Sequence, residues 1–483
     1  MLAYHQLIEN VALPMSDQLT HSKFWRLSKQ VDRIRSRSQD YLTTLQTERL
    51  QTLFDVAENK TDFWAPRLRA VDHVTKPLQR LRAMRPVSKT ELEAGFPDQI
   101  VNRSIDQSDL RFAATRGTTQ RMVCVHDFAK RESMRAAMVC TLRASGYRVG
   151  MPMVEIPPNI CDTVCGEQGE RDEGVLPHLS EMVRSRSFKE ASAWRDLRGL
   201  VERHWIYRRK TYSPFSPSFG STQPDAELDK YIDLLNQDRP HTLKGLTTYL
   251  YQIAKRALVR TDVKLEVPVI RPLGSGATPV MRSAIEKAFR GHFHDDYGSA
   301  ELGPVAFACH AGAGMHIFAD QFIVEVVDQD GSHVPQGELG EIVITDLINH
   351  AMPLFRYRVG DLGRIVDSPC ACGNAAPRIE IEGRIHDSVL DAEGRRVTSQ
   401  QIANLMYSQP ELDQFQLIEK RNGVLELTLV AKPDGEVETS KYQRLLANLV
   451  GEDRKLRIRN ARTILPESGG KFRWVKALSV TKR

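Results

Sequence analysis

The chain is 483 residues long, with 41% apolar and 27% charged residues, which suits a soluble globular protein of two or more domains rather than a single core. Its net charge of +6 comes from Lys and Arg interspersed with Asp and Glu. That pattern excludes the clustered basic surface a nucleic-acid partner needs and leaves a mixed solvated surface, with mild attraction of anionic substrates as the other reading. Seven Cys form no disulfide-framework spacing, and the N-terminus, Met1-Leu2-Ala3-Tyr4-His5-Gln6, lacks a basic start followed by an apolar run. Together they predict a cytoplasmic chain with no signal peptide, no membrane span and no membrane partner.

Residues from about Lys23 to Leu81 read as helical, with Tyr41, Leu42, Leu45, Leu50, Leu53, Phe54 and Val56 near helical spacing among charges. Ser88 and Glu91 form a capping box, which satisfies free amides at a helix start. A helix is predicted from Asp127 to Ala144, ending at Ser145-Gly146, and a strand from Pro152 to Ile156, stopped by Pro157-Pro158. Cys161 and Cys165 follow at a spacing of four, suiting a metal or redox pair on one helix face, or two unrelated small core residues. From Gly166 to Pro224 the chain is charged, Ser-rich and Pro-interrupted, with helical patches near Leu176–Met182 and Leu197–Trp205 and no readable motif. Two amphipathic helices are predicted at Leu228–Leu235 and Leu243–Leu258, and a third, Val280–Phe289, after the turn Leu273-Gly274-Ser275-Gly276-Ala277-Thr278-Pro279. Strands follow at Gln321–Val327 and Glu341–Thr345, around the hairpin signal Asp330-Gly331. The last stretch reads as a small α+β unit: strands Phe415–Glu419, Leu425–Ala431 and Lys455–Ile464, with a helix at Ser440–Leu449.

Four landmarks carry the chemistry: His294-Asp295-Asp296-Tyr297-Gly298-Ser299-Ala300-Glu301, Gly337-Glu338-Leu339-Gly340-Glu341, Phe355-Arg356-Tyr357-Arg358-Val359-Gly360-Asp361, and Gly383-Arg384-Ile385-His386-Asp387. Threaded between them, Cys309, His316, Cys370 and Cys372 offer three soft thiolates and an imidazole, a set that suits tetrahedral Zn²⁺ with no open position for water. His310 in place of His316, a four-thiol set with Cys161 and Cys165, and small buried thiols beside a surface His are the other readings.

In this order the landmarks resemble the adenylate-forming ligases, and within them the phenylacetate–CoA ligase branch, which carries Tyr-Gly-x-(Ser/Thr)-Glu, Gly-Glu-x-Gly-Glu, Arg-Tyr-Arg-(Thr)-x-Asp and Gly-Arg-x-Asp-Asp. Some members of the branch carry a similar Cys/His set. The resemblance implies α/β and α+β architecture: a large multi-subdomain N-terminal adenylate-forming domain over 1–383 that binds nucleotide and acid, and a small mobile C-terminal α+β lid over 384–483. It implies activation of a carboxylic acid, expected to be aromatic, to acyl-AMP with ATP and Mg²⁺, then transfer to CoA. The alternatives are an amine or carrier-protein thiol as acceptor, or a degenerate chain that only binds nucleotide. A homodimer is left open.

The same resemblance assigns roles by position. Phe63-Trp64-Ala65-Pro66-Arg67-Leu68 matches an aromatic segment, Arg85-Pro86-Val87-Ser88-Lys89-Thr90-Glu91-Leu92 the Pro-x-x-Lys-x-x-Leu lead-in, and Pro240–Gly245 a segment lining the acyl pocket. Thr115, Gly117, Thr118 and Thr119 match the phosphate loop, while Arg116, Gln120 and Met122 depart from it and Arg121 keeps its positive charge. Gly274, Ser275, Gly276 and Ala277 match the adenine turn, with Tyr297 and Gly298 beside the nucleotide. Glu301 matches the Mg²⁺-binding acid, Asp361 the ribose-binding carboxylate, Arg384 the arginine near the phosphates, and Lys471 the lid lysine that bridges carboxylate and α-phosphate. At the hinge, His386 stands where Asp is usual, so the pivot is His386 or Asp387.

Overall fold

A computed structural model describes residues 4–19, 22–114, 122–157, 180, 184, 201–215, 224–274, 276–311, 314–366, 368–432, 435–465 and 472–477. The chain divides into two units: Leu13–Ser145 with Asp295–Ile385, and Met1–Ala12 with Gly146–His294 and His386–Arg483. Among the described residues no helix is long and apolar enough to cross a membrane.

The first unit is built on seven strands: β1 (Asp296–Ser299), β2 (Gly303–Ala308), β3 (Met315–Ile317), β4 (Phe322–Val327), β5 (Gly340–Asp346), β6 (Leu354–Val366) and β7 (Arg378–Arg384). They pair in the order β4-β5-β6-β7-β3-β2-β1, antiparallel throughout. The helical N-terminal stretch resolves into Phe24–Ile34, Gln39–Lys60, Ala65–Arg69 and Pro77–Ala83. Helix Gln39–Lys60 starts where the Ser38 side chain accepts from the Tyr41 amide, and it buries Leu42, Leu50, Leu53, Phe54 and Ala57 on one face. The predicted capping box is present at Ser88 and Glu91, opening helix Lys89–Gly95. The aromatic segment is pinned to β6: the Trp64 indole donates to the Pro353 carbonyl at 2.9 Å. Its ring meets Phe355 edge-on at 4.9 Å, and Phe54 stacks on the same Phe355 at 5.3 Å.

Next to Phe355 the strand is distorted. Arg356 has φ of +43°, a conformation rare for a non-glycine residue, at a register shift between Ile344 and Asp346 on β5. The distortion sends its guanidinium, only 2% exposed, into the core. There it donates to Glu325 at 3.2 Å, to the carbonyls of Arg82 at 3.1 Å and Met84 at 2.5 Å, and to that of Gly331 at 2.7 Å. Gly331, with φ of +87°, has no room for a side chain, since a Cβ would lie 2.5 Å from Pro86. On either side of Tyr357 the lead-in segment joins the strand, Val87 N–H donating to Arg356 O at 3.1 Å and Arg358 N–H to Val87 O at 2.9 Å.

The second unit contains a five-stranded parallel sheet in the order 209–211, 153–156, 242–246, 269–273, 292–293. Helices Asp225–Asp238, Thr247–Val259 and Pro279–Phe289 follow its strands. One expectation is corrected here: Leu243–Leu246 belongs to the strand Thr242–Leu246, and the helix starts at Thr247. The strand lies between two parallel neighbours and is buried on both faces, so it has no alternation to distinguish it from a helix stripe. The C-terminal strands Leu412–Glu419, Leu425–Ala431, Leu456–Asn460 and Val475–Lys476 form a four-stranded sheet with helices Ser399–Tyr407 and Thr439–Val450. The strand expected at Lys455–Ile464 stops at Asn460, where pairing with Leu429 ends.

Removing the Arg356 guanidinium would leave the buried Glu325 without its arginine, with only His333 Nε2, 2.8 Å from Oε1, as an ion-pair partner among the described residues. Arg356→Met is expected to destabilise the first unit by about 3–5 kcal/mol, read as a lowered midpoint in denaturant unfolding.

Candidate functional site

The landmark residues meet through two crossed hydrogen bonds. Tyr297 lies on β1 with Glu301 four residues later; Tyr357 and Asp361 have the same spacing on β6. Each tyrosine donates to the carboxylate of the other segment: Tyr297 Oη to Asp361 Oδ2 at 2.7 Å, and Tyr357 Oη to Glu301 Oε1 at 3.1 Å. Burial, then the adjacent carboxylate, raises the pKa of both phenols well above the ordinary value, so they stay protonated donors at neutral pH. The turn from β1 to β2 that carries Glu301 is tight enough to require glycine, because a Cβ on Gly298 would lie 2.3 Å from the Gly303 carbonyl.

Behind the turn, His126 Nε2 meets the Glu301 carbonyl at 3.0 Å. Burial lowers the His126 pKa, so at neutral pH the ring is uncharged and the contact assigns its proton to Nε2. Cys124 is also buried here, its thiol pushed up to about 12 by burial and then by the Glu301 charge, which makes it a poor nucleophile. Asp361 is paired in register with Arg384 across β6 and β7, and the Arg384 Nε lies 3.4 Å from Asp361 Oδ1. The Arg384 side chain is 54% exposed and that of Asp361 13%, so this contact is partly screened by water. Arg358 pairs with Glu341 of the Gly-Glu-x-Gly-Glu segment and donates to the Gln329 carbonyl at 3.0 Å, so that motif is tied to Arg-Tyr-Arg.

Three further residues belong to this cluster: Tyr357, His126 and Lys89. Lys89 feels the charges of Glu301 and Arg384, and burial dominates the lowering of its pKa. The Pro-x-x-Lys spacing of the lead-in was the signal available for Lys89, and the repeated Tyr-to-carboxylate spacing of four was the signal for Tyr357.

The other expected residues are distributed as follows. Gly274, Gly276 and Ala277 lie in the second unit, between strand Val269–Leu273 and helix Pro279–Phe289, with Gly274 at φ of +88°. Thr278 caps that helix, accepting from the Met281 amide at 3.2 Å, and the Ala277 carbonyl accepts from Gln400 at 3.3 Å. Thr115, Gly117, Thr118, Thr119, Ser275 and Lys471, with Arg116, Gln120, Arg121, Cys161 and Cys165, lie outside the described residues. Two residues beyond Lys471, Arg473 donates to Asp387 Oδ1 at 2.7 Å and to the His386 carbonyl at 3.3 Å.

A second cluster lies on the same sheet as Asp361. Cys309 follows β2, His316 is on β3, and Cys370 and Cys372 are in the loop from β6 to β7. Their ligand atoms all lie within 4.8 Å of one another, with Cys309 Sγ to Cys370 Sγ at 3.4 Å and Cys372 Sγ to His316 Nε2 at 3.3 Å. With Zn–S of about 2.3 Å and Zn–N of about 2.0–2.1 Å, a tetrahedron has edges of about 3.5–3.8 Å, so the four groups fit such an ion. Among the described residues the cluster takes His316 and leaves out His310. His316 Nδ1 meets the Ala376 carbonyl at 3.2 Å, a contact that leaves the Nε2 lone pair for a metal. Arg378 holds the loop by donating to Ser368 O at 2.7 Å and to Ser368 Oγ at 2.9 Å.

No family model matches the chain. At 31% identity over 211 residues, 41% of the chain aligns with 46% of the phenylacetate-coenzyme A ligase of Thermus thermophilus. The phenylacetate-coenzyme A ligase of Pseudomonas putida aligns at 30% over 215 residues, with the same shares of 41% and 46%. Protein CapK of Staphylococcus aureus aligns at 30% over 137 residues, 28% of each chain. The chain thus spans about half the length of the first two curated relatives it matches. Among solved structures, 2-hydroxyisobutyryl-CoA ligase in the postadenylation state superposes with a TM-score of 0.64 at 18% identity, over 90% of this chain and 89% of that one. ATP-bound MatB from Rhodopseudomonas palustris gives 0.51 at 12% identity, over 79% and 70%. At such identities the likeness is one of fold, and the fold is the mixed α/β and α+β architecture of those ligases.

The Cys/His cluster yields a direct measurement. Protein purified without chelator is expected to carry about one Zn²⁺ per chain. Cys370→Ser should lose the ion and melt at a lower temperature, because metal binding energy is coupled to folding. Elemental analysis that finds no zinc in the parent protein would remove the metal from this site.

Proposed function

We propose that the chain is a member of the adenylate-forming ligases, in their phenylacetate–CoA ligase-like branch, and that it activates a carboxylic acid with ATP; the partial alignments with phenylacetate-coenzyme A ligases and the shared fold support this reading. The products of the first step are an acyl-AMP and pyrophosphate; in the second the acyl group passes to the thiol of CoA. An aromatic acid is the substrate class we favour, in keeping with the names of the relatives. The observation that carries the reading is that three separate motifs converge through side-chain contacts: Tyr297 and Arg384 both meet Asp361, and Tyr357, four residues before Asp361, meets Glu301.

In this reading Asp361 accepts from the ribose hydroxyls, which compete with Arg384 for its Oδ1. Arg384, half exposed beside that carboxylate, carries a positive charge that suits phosphate oxygens. Glu301 suits Mg²⁺: one carboxylate oxygen is held by Tyr357, and the other takes no hydrogen bond from any described residue. A bound Mg²⁺ would supply charge neutralisation at the phosphates. Residues 115–119 and the turn 274–277 are assigned to phosphate and adenine, and Lys471 to the carboxylate and α-phosphate, by the family pattern. The functional division we propose is 1–383 as the nucleotide- and acid-binding part and 384–483 as the lid, pivoting at His386 or Asp387.

A second acceptor class, an amine or a carrier-protein thiol, is favoured by the departures Arg116, Gln120 and Met122 in the phosphate loop, since they set this chain apart from the branch's usual pattern. ATP–pyrophosphate exchange over a panel of aryl and acyl acids tests the first step. Product analysis with CoA, amines and carrier thiols then identifies the acceptor. Nucleotide binding without exchange for any acid would leave a chain that only binds nucleotide.

Two substitutions give graded tests. Asp361→Ala is expected to weaken ATP binding by about 1.5–3 kcal/mol, the range for hydrogen bonds to a charged group, measured by titration calorimetry; unchanged affinity would remove Asp361 from the nucleotide. Lys471→Ala should slow adenylation by orders of magnitude while changing ATP affinity little, because the interaction is made in the transition state. Exchange at the parent rate in that variant would free Lys471 of the role.

A further inference from the structure

We propose that Tyr357 is a positioning residue that holds Glu301 in the one orientation that presents a carboxylate oxygen to a magnesium–nucleotide complex. The inference rests on the adenylating function proposed above, and it assigns a role to a tyrosine that would otherwise count as core packing.

Tyr357 is 1% exposed and belongs to the main hydrophobic core of its unit. Phenylalanine would fill that space without a hydroxyl to satisfy; a buried tyrosine is stable only where its O–H finds a partner. The partner is Glu301 Oε1, at 3.1 Å. The backbone around the ring is held from both sides, since Val87 bonds to Arg356 and to Arg358 and the Arg356 guanidinium is anchored on three carbonyls and Glu325. At the other end of the contact, the Glu301 backbone is held by His126. The carboxylate is therefore fixed at its main chain and at one oxygen.

The choice of donor matters. Mg²⁺ needs near-octahedral geometry at 2.0–2.1 Å and is held by few carboxylates, so an oxygen turned the wrong way is costly. An arginine or lysine could fix the same carboxylate, but its positive charge would oppose the cation a few ångströms away. A phenol orients the carboxylate without adding charge. Burial and the nearby Glu301 keep this phenol protonated, so it holds the carboxylate without exchanging its proton in the reaction. The crossed bond from Tyr297 to Asp361 serves the neighbouring carboxylate in the same way, and the two pairs lock β1 to β6.

The test uses the full chain and a readout that needs no turnover. With α,β-methylene-ATP present, the melting temperature is followed as Mg²⁺ is titrated, for the parent, Tyr357→Phe, Glu301→Gln and the double variant. In Tyr357→Phe the Mg²⁺ concentration for half-maximal stabilisation should rise roughly tenfold, with melting in the absence of nucleotide close to the parent. In the Glu301→Gln background the second substitution should add nothing, as expected when two residues act through one contact. ATP–pyrophosphate exchange should show the same raised Mg²⁺ requirement, relieved at high Mg²⁺. An unchanged Mg²⁺ midpoint, additive effects in the double variant, or a loss of stability without nucleotide as large as that with it would each overturn the proposal. If the parent exchanges pyrophosphate with no acid, the adenylating function fails on that result alone, and the analogue titration still decides the role of Tyr357.

Discussion

The buried guanidinium of Arg356 is the interaction on which the first unit depends. A charge placed 2% exposed in a core is unfavourable unless it is well hydrogen-bonded and a counter-charge is near. Here the side chain makes four hydrogen bonds, to Glu325 and to three backbone carbonyls, two from the segment ahead of helix Lys89–Gly95 and one from the β4–β5 hairpin. One side chain thus fastens three pieces of chain to the middle of β6. The strained φ at Arg356 is the cost of turning that side chain inward, and the register shift against β5 is where the sheet absorbs it. Tyr357 and Asp361 follow within five residues and inherit the placement.

Much of this was legible in the sequence because the residues concerned carry unusual chemistry. Tyr297, Glu301, Asp361 and Arg384 were readable from motif order, and three thiols with a histidine were readable as a ligand set before the strands that bring them together were known. Helix Phe128–Ala144 and the Ser88 capping box were legible from local rules alone. The strand Thr242–Leu246 was not, because a strand covered on both faces has the same apolar density as a helix face. Tyr357 was quoted only as part of a motif; the repeated Tyr-to-carboxylate spacing of four hinted at its use, but the identity of its partner, 56 residues away, is not something a local pattern reports. His126 was equally hidden, since a single histidine at the end of a short strand has many ordinary uses.

The two clusters share one ladder. Asp361 pairs with Arg384 and Val366 with Arg378 along β6 and β7, and Cys370 and Cys372 lie in the loop that closes the far end. A metal ion at that end would hold the hairpin in register over about five strand residues, roughly 17 Å at 3.3–3.4 Å per residue. A site with four protein ligands then supports the polar group through the rigidity of the sheet, without taking part in its chemistry.

The division of the chain has a consequence for how the protein is made. The helices of 13–145 and the sheet of 295–385 form one unit, and their apolar side chains share one core, from Val31 to Ile379. About 150 residues separate the two halves. At 5–20 residues per second a ribosome takes roughly 8–30 s to cross that gap. Throughout that interval Leu50, Leu53, Phe54 and Trp64 have emerged while Phe355 and the strands that cover them have not. The nascent chain therefore carries exposed apolar surface far longer than its helices take to form, which makes its yield depend on translation speed and on chaperones that shield such surface.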